Sequence, residues 1–431
     1  MTRSRINLFA LATAAAVCLA TLLALTLVNR ASAPTAGAGA GPPAGGPPST
    51  AKRIAALEAS VRSHPERGAA YSLLGEAYLQ RSRDTGDPTY QLRAEGILRR
   101  ALKQDPRDAA ALASFAALEA ARHDFRAALR DGRAAQRLAP QAVRPYGVVV
   151  DALVELGRYG EAAHQLQRML DLKPTVSSYA RASYFRELHG DLAGAVQAMR
   201  LAASAGAAAP AQSAQVQTGL GNLELARGRH AAASRAYRTA LAASAGYAPA
   251  QAGLARLDAA EGRLSAAIRR YHSIVARLPL PEHLVALGEA ELAAGRRGDA
   301  RRHFELVRAE QRRLRAAGVN SDAELALFEA DHGRRGRALA LAHRAWRSAP
   351  SVRSADAVGW ALTRSGRPAA GLVWARKALR LGSRDPLLRL HAGLAARRVG
   401  RNREASRQLR LASAGAALLS PLARAELGRA G

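Results

Sequence analysis

Eight glycines recur along this chain at nearly one interval. They are Gly157, Gly190, Gly228, Gly262, Gly295, Gly333, Gly366 and Gly400, with steps of 33, 38, 34, 33, 38, 33 and 34. A second ladder runs upstream at Pro65, Pro106, Pro140 and Pro174, with steps of 41, 34 and 34. Fixed self-similarity near 34 residues marks a row of stacked helical hairpins, in which no single unit can bury its own apolar face. That spacing constrains the fold more than any other property of the chain.

The residues between the rungs follow a helical grammar. Between Pro279 and Arg315, Leu284, Leu287, Gly288, Glu291 and Leu292 fall on one helical face, Gly295 interrupts, and Ala300, Phe304 and Val307 resume the period. Gly295 sits where the first helix must stop, a place that commonly needs a left-handed backbone. Each ladder proline falls just past the second helix, which it cannot continue. The same pattern runs through Gly221, Gly228, Ala233, Tyr237 and Ala240, then Leu254, Gly262, Ala267, Tyr271 and Pro279. It returns in Gly359, Gly366, Ala375 and Ala378, and in Gly393, Gly400, Ala405, Leu409 and Ala412. Small residues alternate with large ones, so neighbouring helices can approach closely.

With Tyr71, Leu74, Gly75, Tyr78, Ala94, Leu98, Ala101 and Pro106 in order, the chain resembles the tetratricopeptide repeat family, apart from seven inserted residues. The insertion contains Asp87-Pro88, which reads as an N-cap and first residue of a lengthened second helix. Val150 and Tyr184 replace the small residue that the family places after the leucine. The resemblance covers roughly residues 51 to 420. It implies an all-α, right-handed α-solenoid of about ten helix-turn-helix repeats with partial helices at each end, spanning 51–431.

Ahead of the repeats, Arg3 and Arg5 precede an uncharged, largely apolar run from Leu8 to Val28. About 20 such residues span a bilayer, whereas a signal-peptide core takes about 7–15. Ala31-Ser32-Ala33 resembles a signal-peptidase site, yet Pro34 follows at once and hinders cleavage. Residues 1–33 therefore read as an anchor or a cleaved signal, with a buried soluble helix as the remaining alternative. The slight excess of arginine before the run favours repeats outside the cytoplasm, on the cell membrane or secreted. Cys18, the single cysteine, lies inside the apolar run and reads as a membrane-facing residue. Residues 34–50 are Pro, Gly and Ala with no charge and form a spacer.

The formal net charge is +30, and only Lys52, Lys103, Lys173 and Lys377 are lysine, so the basic residues are nearly all arginine. Seven ladder glycines are followed by arginine: Arg158, Arg229, Arg263, Arg296, Arg334, Arg367 and Arg401; Asp191 follows Gly190. Two readings stand. Locally, each arginine lies beside the free carbonyls of a helix C-terminus, worth ~0.3–1 kcal/mol. Collectively, stacked repeats align them as a basic edge for a polyanion, a membrane surface or an acidic protein.

In tetratricopeptide arrays the first helix of each pair lines the concave groove. The resemblance thus assigns to a protein-binding groove Glu76, Asp151, Glu155, Phe185, Asn222, Glu289, Asp331 and Trp360. Arginine is scarce there until Arg364, Arg397 and Arg398, so the groove is expected to be neutral to acidic. It lacks the Lys/Asn/Arg set with which some family members clamp a peptide carboxylate.

Motifs of catalysis are missing from the sequence. The eleven histidines form no HxxxH pair and no metal-ligand spacing with carboxylates. No Walker loop or GxSxG elbow occurs, and Gly219-Leu220-Gly221 lies inside a helix pattern, where it follows no strand. The expected class is a non-catalytic protein-interaction scaffold with no cofactor or metal, membrane-tethered or secreted, gripping a segment of a protein partner. The alternative is attachment of the arginine edge to an anionic envelope polymer, a membrane surface or, at a further remove, nucleic acid. Export would separate the chain from nucleic acid, and no aromatic-basic stacking platform appears.

Overall fold

A computed structural model describes residues 50–206 and 210–430. The apolar run 8–28, Cys18 and the spacer up to residue 49 lie outside them. Among the described residues, no helix is long and apolar enough to cross a membrane.

A lone first helix, α1 (Thr50–Ser63), leads into ten helical hairpins. These are α2 (Gly68–Thr85) with α3 (Thr89–Gln104), α4 (Ala109–Ala121) with α5 (Phe125–Leu138), α6 (Val143–Glu155) with α7 (Tyr159–Leu172), and α8 (Val176–Leu188) with α9 (Leu192–Ser204). Next come α10 (Pro210–Ala226) with α11 (His230–Ala243), α12 (Ala248–Ala260) with α13 (Leu264–Val275), and α14 (Pro281–Ala293) with α15 (Arg297–Ala316). The last are α16 (Asp322–His332) with α17 (Arg335–Ser348), α18 (Val352–Arg364) with α19 (Pro368–Ala378), and α20 (Pro386–Arg398) with α21 (Asn402–Ser413), before a closing helix α22 (Pro421–Ala430). The repeat number and the flanking helices agree with the sequence reading.

The glycine ladder marks the corner inside each hairpin. At Gly157, Gly190, Gly228, Gly262, Gly295, Gly366 and Gly400, φ lies between 69° and 81°. The next amide reaches back to the carbonyl five residues earlier, as in Arg158 N–H to Leu153 O at 2.8 Å and Arg401 N–H to Ala396 O at 2.9 Å. This is the Schellman ending of an α-helix, and it satisfies two carbonyls that would otherwise be orphaned. Two rungs differ from the expectation. His123 occupies the left-handed position of the second hairpin with φ 60°, and Asp124 N–H bonds Glu119 O at 2.9 Å, so an unrecognised rung precedes Gly157. Gly333 keeps a negative φ of −143°, and Arg334 N–H bonds the Glu329 carboxylate instead.

Packing between helices depends on missing side chains. Tyr237 is fully buried, and a Cβ on Gly221 or Gly253 would stand 2.5 or 2.4 Å from its ring. One aromatic thus fills the space that two neighbouring first helices leave open, at the density of a protein interior. The insertion falls differently from the expectation: α2, with 18 residues, is five longer than α4, while α3, with 16, is two longer than α5. Asp87 accepts the Thr89 amide at 3.0 Å ahead of α3, but most of the added length is in the first helix.

The solenoid closes on itself. Corners of the first five hairpins meet the loops that follow hairpins six to ten. A Cβ on Gly86 would strike Leu278 and Leu280; His123 Nδ1 lies 2.7 Å from Asn320 O; and Val352 N–H donates to Tyr159 Oη at 2.9 Å. A Cβ on Gly190 would lie 2.5 Å from Gly382 O, and Asn320 N–H donates to Arg122 O at 2.9 Å. One superhelical turn therefore takes between five and six hairpins, and its successive edges are in contact. The concave face becomes the wall of an internal channel.

Candidate interaction surface

First-helix side chains from both turns converge in this channel. Arg353 on α18 lies beside Tyr184 of α8, Glu155 of α6 and Glu324 of α16. Burial opposes its charge, but these neighbours outweigh that and hold the guanidinium firmly protonated. A cavity of about 220 Å³ opens at the seam, lined by His123, Phe125, Glu155, Asn320, Glu324 and Arg353 among others.

Carboxylates dominate the wall. Glu282, Glu324, Asp331 and Asp385 are exposed to solvent although protein surrounds them, and Glu155 and Glu187 are half-buried. Burial raises the pKa of Glu155, with Glu324 and Asp151 adding to it against Arg353. It raises Glu282, helped by Glu324, and Asp385, helped by Asp356. Glu187 is pushed up to about 7 by burial and by Asp385. These acids have too few cations near them to offset confinement.

Glu187 carries a pH prediction. Its folded-state pKa lies above the ordinary carboxylate value, so the folded chain holds the extra proton between about pH 4.5 and 7. The associated stability is present at the acid end and is lost as pH rises through that window. The Glu187→Gln variant should match the parent near pH 4.5 and exceed it at pH 8. The shift corresponds to about 3 kcal/mol at most, reduced to ~1–2 by solvent screening at a half-buried position. His283 is pushed down to about 4 by burial and Arg256, and titrates in the opposite sense. The difference between variant and parent melts at each pH therefore isolates Glu187; a difference independent of pH would refute the assignment.

The groove residues read from the sequence have varied fates. Asp151 is bound by Arg181 through two contacts of 2.6 and 2.9 Å, and Glu76 by Arg144 at 3.0 Å. Asn222 accepts from Tyr237 and Arg256, while Glu289 pairs with His332 at 2.8 Å. Glu155 and Asp331 do face the channel, and Phe185 is half-buried against His189, with ring centres 4.5 Å apart. Trp360 requires a correction, because it is 2% exposed. Its Nε1 donates to Asp331 at 3.0 Å and its ring stacks on His391 at 4.0 Å, so it is core. Arginine is also less scarce on first helices than expected, since Arg144, Arg181, Arg256 and Arg353 all lie there.

The ladder arginines each occupy the N-cap position of a second helix. In all but Arg334 it is the backbone amide, not the guanidinium, that serves the preceding helix's carbonyls. Arg158 grips Glu161, and Arg263 grips Asp258 and Glu261; Arg229 stands 3.9 Å from Glu224. Arg296, Arg334, Arg367 and Arg401 are exposed.

One cluster had no signal in the spacing. Among the described residues, His272, Glu291 and His303 bring three potential metal-ligating atoms within 4.8 Å of one another. They come from α13, α14 and α15, so only helix packing unites them.

Ten hairpins of two helices each, ended by left-handed corners and packed in sequence order, decide the architecture. The fold is a tetratricopeptide-like helical-repeat solenoid. No family model matches the sequence, and no curated protein does. Solved structures with similar architecture include the human IFIT1 dimer with PPP-AAAA, at 16% identity over 77% of this chain and 78% of that one, TM-score 0.48. A tetratricopeptide repeat protein from Parabacteroides merdae matches at 16% identity over 56% of this chain and 96% of its own, TM-score 0.41. PilW, a type IV pilus biogenesis factor, matches at 19% identity over 47% and 92%, TM-score 0.39.

Proposed function

We propose that this solenoid is a non-catalytic scaffold that holds an extended, cationic segment of a partner protein in its internal channel. The observation that carries the reading is the set of confined carboxylates, Glu155, Glu187, Glu282, Asp331 and Asp385, whose pKa values are all raised. A preformed site whose like charges repel gains most from a ligand of the opposite sign. Extended peptide has the right section for a channel walled by helices, and backbone-level shape recognition is how helical-repeat surfaces commonly work. Residues 8–28 would supply an anchor or signal, placing the array outside the cytoplasm.

The test is fluorescence anisotropy with a labelled Arg/Ala-rich peptide and its Glu/Ala counterpart. The cationic peptide should bind and the anionic one should not. The triple variant Glu187→Gln, Glu282→Gln, Glu324→Gln should weaken binding by about tenfold or more, at the scale of partly screened charge contacts. Equal binding by parent and variant would remove the channel from the proposal. The second reading rests on exposed Arg296, Arg334, Arg367 and Arg401. It predicts that polyphosphate binds instead, that salt abolishes this, and that the channel substitutions leave it unchanged.

A further inference from the structure

An acidic residue sits four positions before the hairpin corner in five repeats: Glu119, Glu224, Asp258, Glu291 and Glu329. All five are largely shielded from water, and four of them take arginine partners. Glu119 meets Arg130; Glu224 meets Arg200 and Arg227; Asp258 meets Arg263 and Arg270; Glu329 meets Arg308 and Arg337. Guanidinium has no lone pair to offer a metal. Glu291 alone in this series is met by two histidines. His303 stands twelve residues on, the same offset as Arg270 from Asp258, and His272 comes from the preceding second helix, as Arg308 does for Glu329.

We infer that Glu291, His272 and His303 form a binding site for a divalent transition-metal ion of the zinc class. Glu291 is fully buried. Its Oε2 lies 2.8 Å from His303 Nδ1, while its Oε1 has no hydrogen-bond partner and lies 3.3 Å from His272 Nε2. Two donors on one tetrahedral ion stand about 3.3 Å apart, given bonds of ~2.0–2.1 Å. A buried carboxylate oxygen with an unmet bonding demand, aimed between two imidazoles, is the arrangement such an ion satisfies. Two imidazoles and one carboxylate select Zn²⁺, Co²⁺, Ni²⁺ or Cu²⁺ over Mg²⁺ or Ca²⁺, which take oxygen shells. The His272 side chain is 50% exposed, so an ion has an entry path and water can complete the shell. Bound there, the ion would clip α13 to α14 and α15, joining the sixth hairpin to the seventh.

The experiment titrates the full-length, tag-free, chelator-treated chain with Zn²⁺ in competition with a chromophoric chelator, and with Co²⁺ followed by visible absorption. One equivalent should bind with sub-micromolar affinity, and Co²⁺ should show the intense d–d bands of low coordination. His272→Ala, at a half-exposed position, should fold normally and lose at least the ~10–100-fold that even an outer-shell partner commands. Glu291→Gln keeps the volume and a hydrogen-bonding oxygen and should show a similar loss. His64→Ala, an exposed histidine elsewhere, should bind as the parent does. Absence of stoichiometric binding, or parental affinity in both site variants, would overturn the inference, as would an equal loss in His64→Ala.

Discussion

Replacing Trp360 by alanine is expected to cost the array about 3–5 kcal/mol, the range for emptying a buried aromatic site. The side chain is 2% exposed within a cluster that also contains Phe328, Leu394 and Leu409. Truncation removes more than volume. Asp331 loses the indole N–H that it accepts at 3.0 Å, and its pKa is already raised by burial, with Glu289 adding to it. His391 loses the ring stacked against it at an interplanar angle of 9°. Burial works against the His391 charge, but Asp356, at 2.9 Å, raises its pKa overall. Trp360→Phe should cost markedly less, because it keeps the stacked ring and loses the donor. Circular dichroism melts of both variants check this, with Phe185→Ala as a half-buried comparator expected to cost less than Trp360→Ala. A Trp360→Ala melt matching the parent would show that the site is open, as the sequence pattern had suggested.

The second large effect is expected at the seam. Gly157 and Gly400 have nearly the same backbone, with φ 69° and 74°. Alanine at either position bears the left-handed penalty of ~1–2 kcal/mol. Their surroundings differ: nothing lies within 4 Å of a Cβ on Gly400, whereas one on Gly157 would stand 2.3 Å from Pro350 O. That oxygen belongs to the backbone of the next superhelical turn, and Tyr159 two residues on holds the Val352 amide. Gly157→Ala must therefore push the two turns apart, at a further cost of about 1–3 kcal/mol by analogy with overpacking. It should melt below Gly400→Ala, and its radius of gyration by X-ray scattering should rise. Equal melts and equal radii would mean that the turns are not in contact in solution.

Closure alters what the concave face can do. An open groove admits a folded partner from the side, whereas a channel favours a thin segment that threads or is enclosed as the turns part. Stability in such arrays is set by neighbouring repeats, and the seam adds contacts between residues more than 200 positions apart, such as Arg126 with Ser348 O. Separation of the two turns is thereby opposed by the seam contacts.

Much of the architecture was legible beforehand, for identifiable reasons. A left-handed corner strongly favours glycine, so the ladder from Gly157 to Gly400 printed the hairpin period directly. The corner at His123 was illegible because histidine also tolerates that backbone when the following amide can still close the helix. The acid wall was half legible: Glu155 and Asp331 were placed on first helices, but Glu187, Glu282, Glu324 and Asp385 were not singled out. The raised pKa values of Glu187, Glu282 and Asp385 come from distant helices that confine them, which no local pattern encodes. Trp360 was misread because a first-helix position near the groove becomes core once α16 and α20 pack over it.

What the sequence determined alone was the local and nearest-neighbour order: the hairpin period, how many hairpins there are, and where most first helices stop. Those features rest on backbone preference and on contacts fewer than forty residues apart, so their signal survives in spacing. The tertiary structure alone decided that the turns meet, that the groove is a channel, and that His272, Glu291 and His303 share one point. Each depends on the small rotation between successive hairpins, accumulated over five or more of them. A few degrees of difference per repeat would separate Tyr159 from Val352, and that angle is set by side-chain volumes at every interface together.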